Sequence, residues 1–351
     1  MNKQALIILF LFFTLTLFAQ EKRFIKPNDS NIAIDGAFFL IKSDEKIIIN
    51  RIKPEILNNP ATYMHPANAN TQSGVRISIL TNSSTVSFIF ENRNDASCWF
   101  SIAGIFKDGK LFKEIILNPK KEKELKPFTV SNPDGKKWAR WTVVLPPFYG
   151  MNLKGIEIDK DSKLKSAAEK NKKPVYVAIG NSITHGTGQR AGYQTYPYIV
   201  AAKKRWNLYN VAVGGSKISW TVGEMLKNKP ADFITILWGY NDWNAGFTTH
   251  NKIIPNYSKL LELLVKYHPD AKIYCILPTY SKTKTPKRGN LSFDDIKNAE
   301  KTVAEEFIKK GYNIKIIDGQ KISDTTMLND KVHFSINGAQ KFAENLINKL
   351  N

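Results

Sequence analysis

The sequence predicts two architectures in one chain: an all-β sandwich, then a three-layer α/β/α unit on a parallel sheet. Three observations predict it. Short apolar stretches broken by turn residues fill residues 31–159, strands alternate with helical stretches after residue 175, and a charged run ending in Pro174 lies between them. A length of 351 residues suits two domains, and neither half repeats internally.

The chain opens with MNKQALIILFLFFTLTLFAQ, in which Lys3 precedes an apolar run from Ala5 to Phe18 and small Ala19 marks a cleavage point. That is the pattern of a secretory signal peptide over residues 1–20. The run is shorter than the ~20 residues a spanning helix needs, which disfavours a stable membrane anchor. The mature chain is therefore expected to be exported, either secreted or periplasmic. The two cysteines, Cys98 and Cys275, lie in apolar surroundings far apart and read as small hydrophobes rather than as a disulfide framework or metal ligands. The formal charge of +20 comes from scattered lysines. No arginine-rich or aromatic-basic motif argues for nucleic acid, so the charge reads mainly as solubility, with acidic glycans a secondary possibility.

Residues 21–160 are expected to form the sandwich. Val75–Leu80 and Thr85–Phe90 read as two strands of a hairpin about Thr81-Asn-Ser-Ser84, and Phe100–Phe106 with Leu111–Leu117 as a second about Lys107-Asp-Gly-Lys110. Asp-Gly supplies the positive φ that such a turn needs. Trp141–Leu145 and Leu153–Ile158 add further strands, with no helical pattern between. Residues 161–174 carry charge without an apolar face and read as a linker.

From 175 to 351 strands are expected near 175–180, 208–213, 233–239, 272–278 and 314–317. Ser292–Gly311 has the marks of a helix: a Ser N-cap, early Asp294 and Asp295, late Lys309 and Lys310, and a closing Gly. Such alternation implies a parallel sheet covered on both faces.

In open parallel sheets ligands gather outside the carboxyl ends of the strands. Four segments arrive there: Gly180-Asn-Ser182, Gly214-Gly-Ser216, Gly239-Tyr-Asn-Asp242, and Asp330-Lys-Val-His333 before the last helix. A serine hydroxyl becomes a nucleophile when a base takes its proton and a third group orients that base. Asp330 and His333 are close enough in sequence for one tight turn to hold them together. Each residue by itself has a plainer reading, as loop serine, turn glycine or turn former. Only the joint order favours catalysis.

That order and spacing resemble the SGNH (GDSL-type) hydrolase family over residues 175–351, with Asn181 standing where the name-giving motif has Asp. The resemblance implies a sheet of flavodoxin-like order, a Ser182–His333–Asp330 triad, and an oxyanion hole from the N–H groups of Ser182 and Gly215 and the side chain of Asn241. The first half is similar, more weakly, to the β-sandwich preceding some SGNH hydrolases. Neither cofactor nor metal is implied. The expected reaction is removal of acyl groups, acetyl foremost, from a carbohydrate or polysaccharide. The alternatives are a lipid esterase or thioesterase and a non-catalytic glycan-binding protein. Tyr193, Trp220, Tyr240 and Trp243 are candidates for stacking on sugar rings, though each suits a core equally well, and His185 is as well suited to a pocket wall as to a plain loop. Asp242 reads as fixing its loop. No G-x-S-x-G elbow occurs, which argues against the α/β-hydrolase fold.

Overall fold

The structure is a computed structural model that describes residues 21–121, 124–168 and 172–350. The expected signal peptide lies outside the described residues, and among those described no helix is long and apolar enough to cross a membrane. Twelve short strands make the first unit: β1 (Lys22–Ile25), β2 (Ala33–Asp35), β3 (Phe39–Lys42), β4 (Ile47–Asn50), β5 (Arg76–Thr81), β6 (Thr85–Asn92), β7 (Ser101–Lys107), β8 (Lys110–Leu117), β9 (Phe128–Ser131), β10 (Ala139–Val144), β11 (Met151–Asp159) and β12 (Leu164–Lys165). They form two antiparallel sheets, β3-β4-β11-β6-β9 with β1 beside β11, and β12-β5-β10-β7-β8 with β2 beside β5.

Period-two alternation builds the core between the sheets. Ile77, Ile79, Trp141 and Val143 point inward from one sheet to meet Phe88, Phe90, Leu153 and Ile156 of the other. On the opposite face of the same strands the Ser78 and Thr142 hydroxyls lie 2.8 Å apart. The β7–β8 hairpin forms as expected, with Asp108 at φ 48° and Gly109 at φ 83°. The other expected hairpin does not form. β5 and β6 lie in different sheets, and the chain crosses between them at Asn82–Ser84. β5 pairs instead with β10, and β6 with β11 and β9, so the two strands turn their apolar rows into the core from opposite sides.

The buried Asp159 carboxylate closes that corner. It accepts from the Ser84 and Thr85 N–H groups at 2.8 and 3.2 Å and from the Lys22 ammonium at 2.5 Å. Burial works against the charge, but Lys22, Ser84 and Ser83 outweigh it and hold the pKa down at about 2. A depressed carboxylate stabilises the fold above its unfolded pKa of ~3.9 and loses that contribution as pH falls through its folded value. Asp159→Asn is therefore expected to cost about 2 kcal/mol near neutrality. Urea melts should show the deficit shrinking between about pH 4 and pH 2; a deficit independent of pH would contradict the assignment.

Two further departures matter. Short helical turns at Pro54–Asn58 and Pro60–Thr62 and helix α1 (Pro66–Ala69) fall between β4 and β5, where the sequence suggested none. The expected linker is also partly sandwich: Leu164 and Lys165 pair with Thr81 and Leu80 of β5, and Ala167 is buried.

The second unit has five parallel strands, β13 (Val175–Gly180), β14 (Asn207–Asn210), β15 (Phe233–Leu237), β16 (Lys272–Ile276) and β17 (Ile314–Ile317), in the order β14-β13-β15-β16-β17. This is the flavodoxin-like order. Its helices are α2 (Ser182–His185), α3 (Tyr196–Lys204), α4 (Thr221–Met225), α5 (Tyr240–Asn244), α6 (Ile254–Tyr267), α7 (Phe293–Lys309) and α8 (Ile336–Ile347). Tyr176 and Ala178 of β13 pack with α3 and α8, while Val177 and Ile179 pack with α4, α6 and α7, giving three layers. Ser292 and Asp295 form a reciprocal capping box on α7.

Candidate active site

The carboxyl ends of β13, β14 and β15 and the turn before α8 converge as expected. At the end of β13, Gly180 has no room for a Cβ beside Thr184 and the Leu237 carbonyl. Asn181 is buried and caps α2, its Oδ1 accepting from the Ile183 N–H at 3.0 Å. An Asp would do the same work through the same oxygen.

Ser182 opens α2 with its Oγ 2.8 Å from His333 Nε2. His333 Nδ1 lies 2.7 Å from Asp330 Oδ2, and Asp330 Oδ1 accepts from the Val332 and His333 N–H groups, each at 2.8 Å. Partial burial raises the Asp330 pKa, but those amides and the imidazole outweigh it and hold it below the ordinary carboxylate value. The ionised carboxylate keeps a proton on Nδ1, which leaves Nε2 an acceptor for the serine hydroxyl.

Gly215 takes φ 83° with open space where a side chain would stand. Among the described residues its N–H and that of Ser182 have no hydrogen-bond partner. The neighbouring Gly214 N–H is already used, donating to His185 Nδ1 at 2.8 Å. Asn241, at the start of α5, donates from Nδ2 to the Ser216 carbonyl at 2.9 Å. Ser216 Oγ in turn donates to the Gly180 carbonyl at 3.1 Å and accepts from Trp238 Nε1 at 2.9 Å. The three loops are thus cross-linked around one side chain. Asp242 is fully buried, accepts from the Ile218 N–H at 3.0 Å, and is pushed up to about 7 by burial, so it fixes its loop.

Of the five residues expected to meet substrate, His185 and Trp243 are buried. His185 is fully buried. Its Nε2 lies 2.7 Å from the Pro147 carbonyl and 3.3 Å from Arg51 Nη2, and burial, then the Arg51 charge, lowers its pKa well below the ordinary value. It is a neutral strut between the sandwich and the glycine turn, out of reach of substrate. Trp243 is buried, with Nε1 donating to the Leu291 carbonyl. Tyr193 donates to Glu114 of β8 and fills the space above Gly104, at the joint between the units. Trp220 is half-buried against the core, and Tyr240 is half-buried with its hydroxyl 3.1 Å from that of Thr283.

The residue that sequence reasoning missed is Arg51. Fully buried, it donates to the Thr71, Asn210 and Ala212 carbonyls at 2.6, 2.5 and 2.8 Å, tying the sandwich to the end of β14. Its position two residues after the apolar run Ile47-Ile-Ile49 is the signal that could have found it.

Comparison with known proteins bears on the family and the fold. Residues 178–341 match the GDSL-like Lipase/Acylhydrolase family, and the α/β unit is a domain of that kind. The fold across both units is shared by a salicylyl-acyltransferase from a tetracycline biosynthetic pathway (19% identity, 93% of this chain and 95% of that one, TM-score 0.80). It is shared also by a family two carbohydrate esterase from Clostridium thermocellum in complex with cellohexaose (15%, 91% and 98%, TM-score 0.64) and by an acetyl xylan esterase from the rumen bacterium Butyrivibrio proteoclasticus (13%, 94% and 97%, TM-score 0.64). No curated protein matches the chain. The family and the fold together support an esterase that hydrolyses acyl esters.

Proposed function

We propose that this protein is an exported serine esterase that removes acyl groups, acetyl foremost, from a carbohydrate or polysaccharide. The observation that carries the chemistry is the Ser182–His333–Asp330 chain of 2.8 and 2.7 Å contacts beside two unpartnered N–H groups. Ser182 Oγ attacks the ester carbon as its proton passes to His333 Nε2. The negative oxygen that forms is held by the N–H groups of Ser182 and Gly215 and by the second N–H of Asn241 Nδ2. His333 then gives its proton to the departing sugar oxygen, leaving an acyl group on Ser182. Water, deprotonated by His333, releases the acid and restores the serine.

The carbohydrate part of the proposal rests on likeness to carbohydrate esterases in fold. Export rests on the leader. The test of the acyl group is chain length. Each buried methylene adds up to ~0.8 kcal/mol where a channel exists. A deacetylase needs no acyl channel, so acetyl esters are expected to turn over faster than octanoyl esters, and rates climbing with length would favour a lipid esterase. Likeness to an acyltransferase favours one second reading, in which a hydroxyl acceptor rather than water takes the acyl group. The ratio of free acid to transferred ester in the presence of an added alcohol separates the two.

The oxyanion role of Asn241 has its own test. Asn241→Ala is expected to lower kcat by roughly 10²-fold to 10³-fold. KM should move far less, because the bond strengthens only in the transition state. A raised KM with kcat preserved would mean that Asn241 serves only to hold Ser216.

A further inference from the structure

Beside Gly215 the surface is hollowed into a pocket of about 390 Å³, lined chiefly by Leu57, Pro60, Tyr63, Met64, His65 and Lys217. Most of its wall is the helical segment between β4 and β5, a part of the sandwich that reaches across to the glycine turn. Tyr63 stands in the left-handed region at φ 47°, and its carbonyl accepts from the Lys217 N–H at 3.3 Å, which fixes the lip of the pocket against the turn. Its ring meets Phe247 edge-on at 5.3 Å.

The charges here are of one sign. No acidic residue lines the pocket. The Lys217 ammonium lies 5.5 Å from the centre of the Phe247 ring, and the Lys252 ammonium is 3.5 Å from the Tyr63 hydroxyl. Among the described residues neither makes an ion pair with a carboxylate. The carboxyl that feels Lys217, Asp242, is buried, and burial pushes it up to about 7, so it supplies only a fraction of a charge at neutral pH. Each ammonium rests on a ring or a hydroxyl and not in an ion pair, so an anion entering the pocket gains attraction without first displacing a carboxylate. The formal charge of +20 would raise the concentration of a polyanion near the protein as a whole, leaving the pocket to select it.

We propose that this pocket is a subsite for an anionic sugar unit, a uronate or a sulfated residue, next to the acylated unit whose ester meets Ser182. This rests on the esterase reading and narrows its substrate to acidic glycans.

The experiment uses the full mature chain and calorimetric titration with three unesterified oligosaccharides of equal length: an oligogalacturonate, a sulfated galactan fragment and a neutral xylo-oligosaccharide. At low salt one of the anionic chains is expected to bind at least about tenfold more tightly than the neutral one, and which of them does so identifies the anion. That advantage should fall about tenfold in Lys217→Met, persist in Lys217→Arg, and shrink with added salt. Turnover of 4-nitrophenyl acetate, which carries no anionic group for Lys217 to hold, should stay within about twofold of wild type in both variants. Equal binding of all three chains, or an advantage indifferent to Lys217→Met, overturns the subsite. Inert esters with Lys217-dependent binding intact would instead defeat the esterase reading and leave the subsite standing.

Discussion

Ser182→Ala should lower kcat on 4-nitrophenyl acetate by roughly 10⁵-fold to 10⁶-fold, the loss seen when the nucleophile of a serine hydrolase is removed. The size of the effect follows from the route. Without Oγ no acyl-enzyme forms, and the N–H groups of residue 182 and Gly215 can only polarise an ester for direct attack by water. Stability should change little. Ser182 is half-buried at the first turn of α2, and its hydroxyl contact in the structure is to His333 Nε2, so the substitution is expected to cost no more than ~1 kcal/mol. A fluorophosphonate should label wild type at Ser182 and leave the variant unlabelled. Turnover retained in a variant with a wild-type melting curve would remove this serine from the mechanism.

The second large effect is expected at Asp330, and its cause is the imidazole tautomer. In Asp330→Asn the side-chain oxygen still accepts from the Val332 and His333 N–H groups, which preserves the turn. The amide nitrogen now faces His333 Nδ1 as a donor, so the ring proton shifts to Nε2. A ring protonated there donates to Ser182 Oγ and takes no proton from it. kcat should fall about 10⁴-fold with little change in KM, a smaller loss than at Ser182 because the nucleophile remains. Asp330 stays ionised below the ordinary carboxylate range, so wild-type activity should show no step from its protonation as pH falls to ~4. A loss of less than tenfold in the variant would mean that Asp330 shapes the turn without fixing the tautomer.

The strands of the α/β unit, helix α7 and the β7–β8 hairpin were legible because each is written in local pattern: apolar runs ending in glycine, a Ser cap with acids behind it, an Asp-Gly turn. The four loop blocks were legible for a related reason, since strand order in a parallel sheet brings successive strand ends to one edge. Legibility failed where long-range contacts decide. The three-residue connection Asn82–Ser84 between β5 and β6 reads alike whether the strands pair or cross a sandwich. His185 and Arg51 lie 134 residues apart in sequence and meet in a buried cluster with Thr71 and Pro147, so neither polar residue announces its burial. Trp243 and Tyr193 show the same limit for aromatics, which suit a core and a sugar platform equally until neighbours are known. The segment Pro54–Ala69 carries no helical period because its turns are too short for one, yet it builds the wall beside Gly215.

The most direct test of the account is acetate release from acetylated oligosaccharides, followed by proton NMR with wild type and Ser182→Ala side by side. Wild type should free acetate from at least one glycan of an acidic and neutral panel, leaving the sugar chain intact, and the variant should free none above the no-enzyme control. A folded wild-type protein that liberates no acetate from any member of the panel, or a variant that liberates it as fast as wild type, would contradict the claim that Ser182 deacylates carbohydrate.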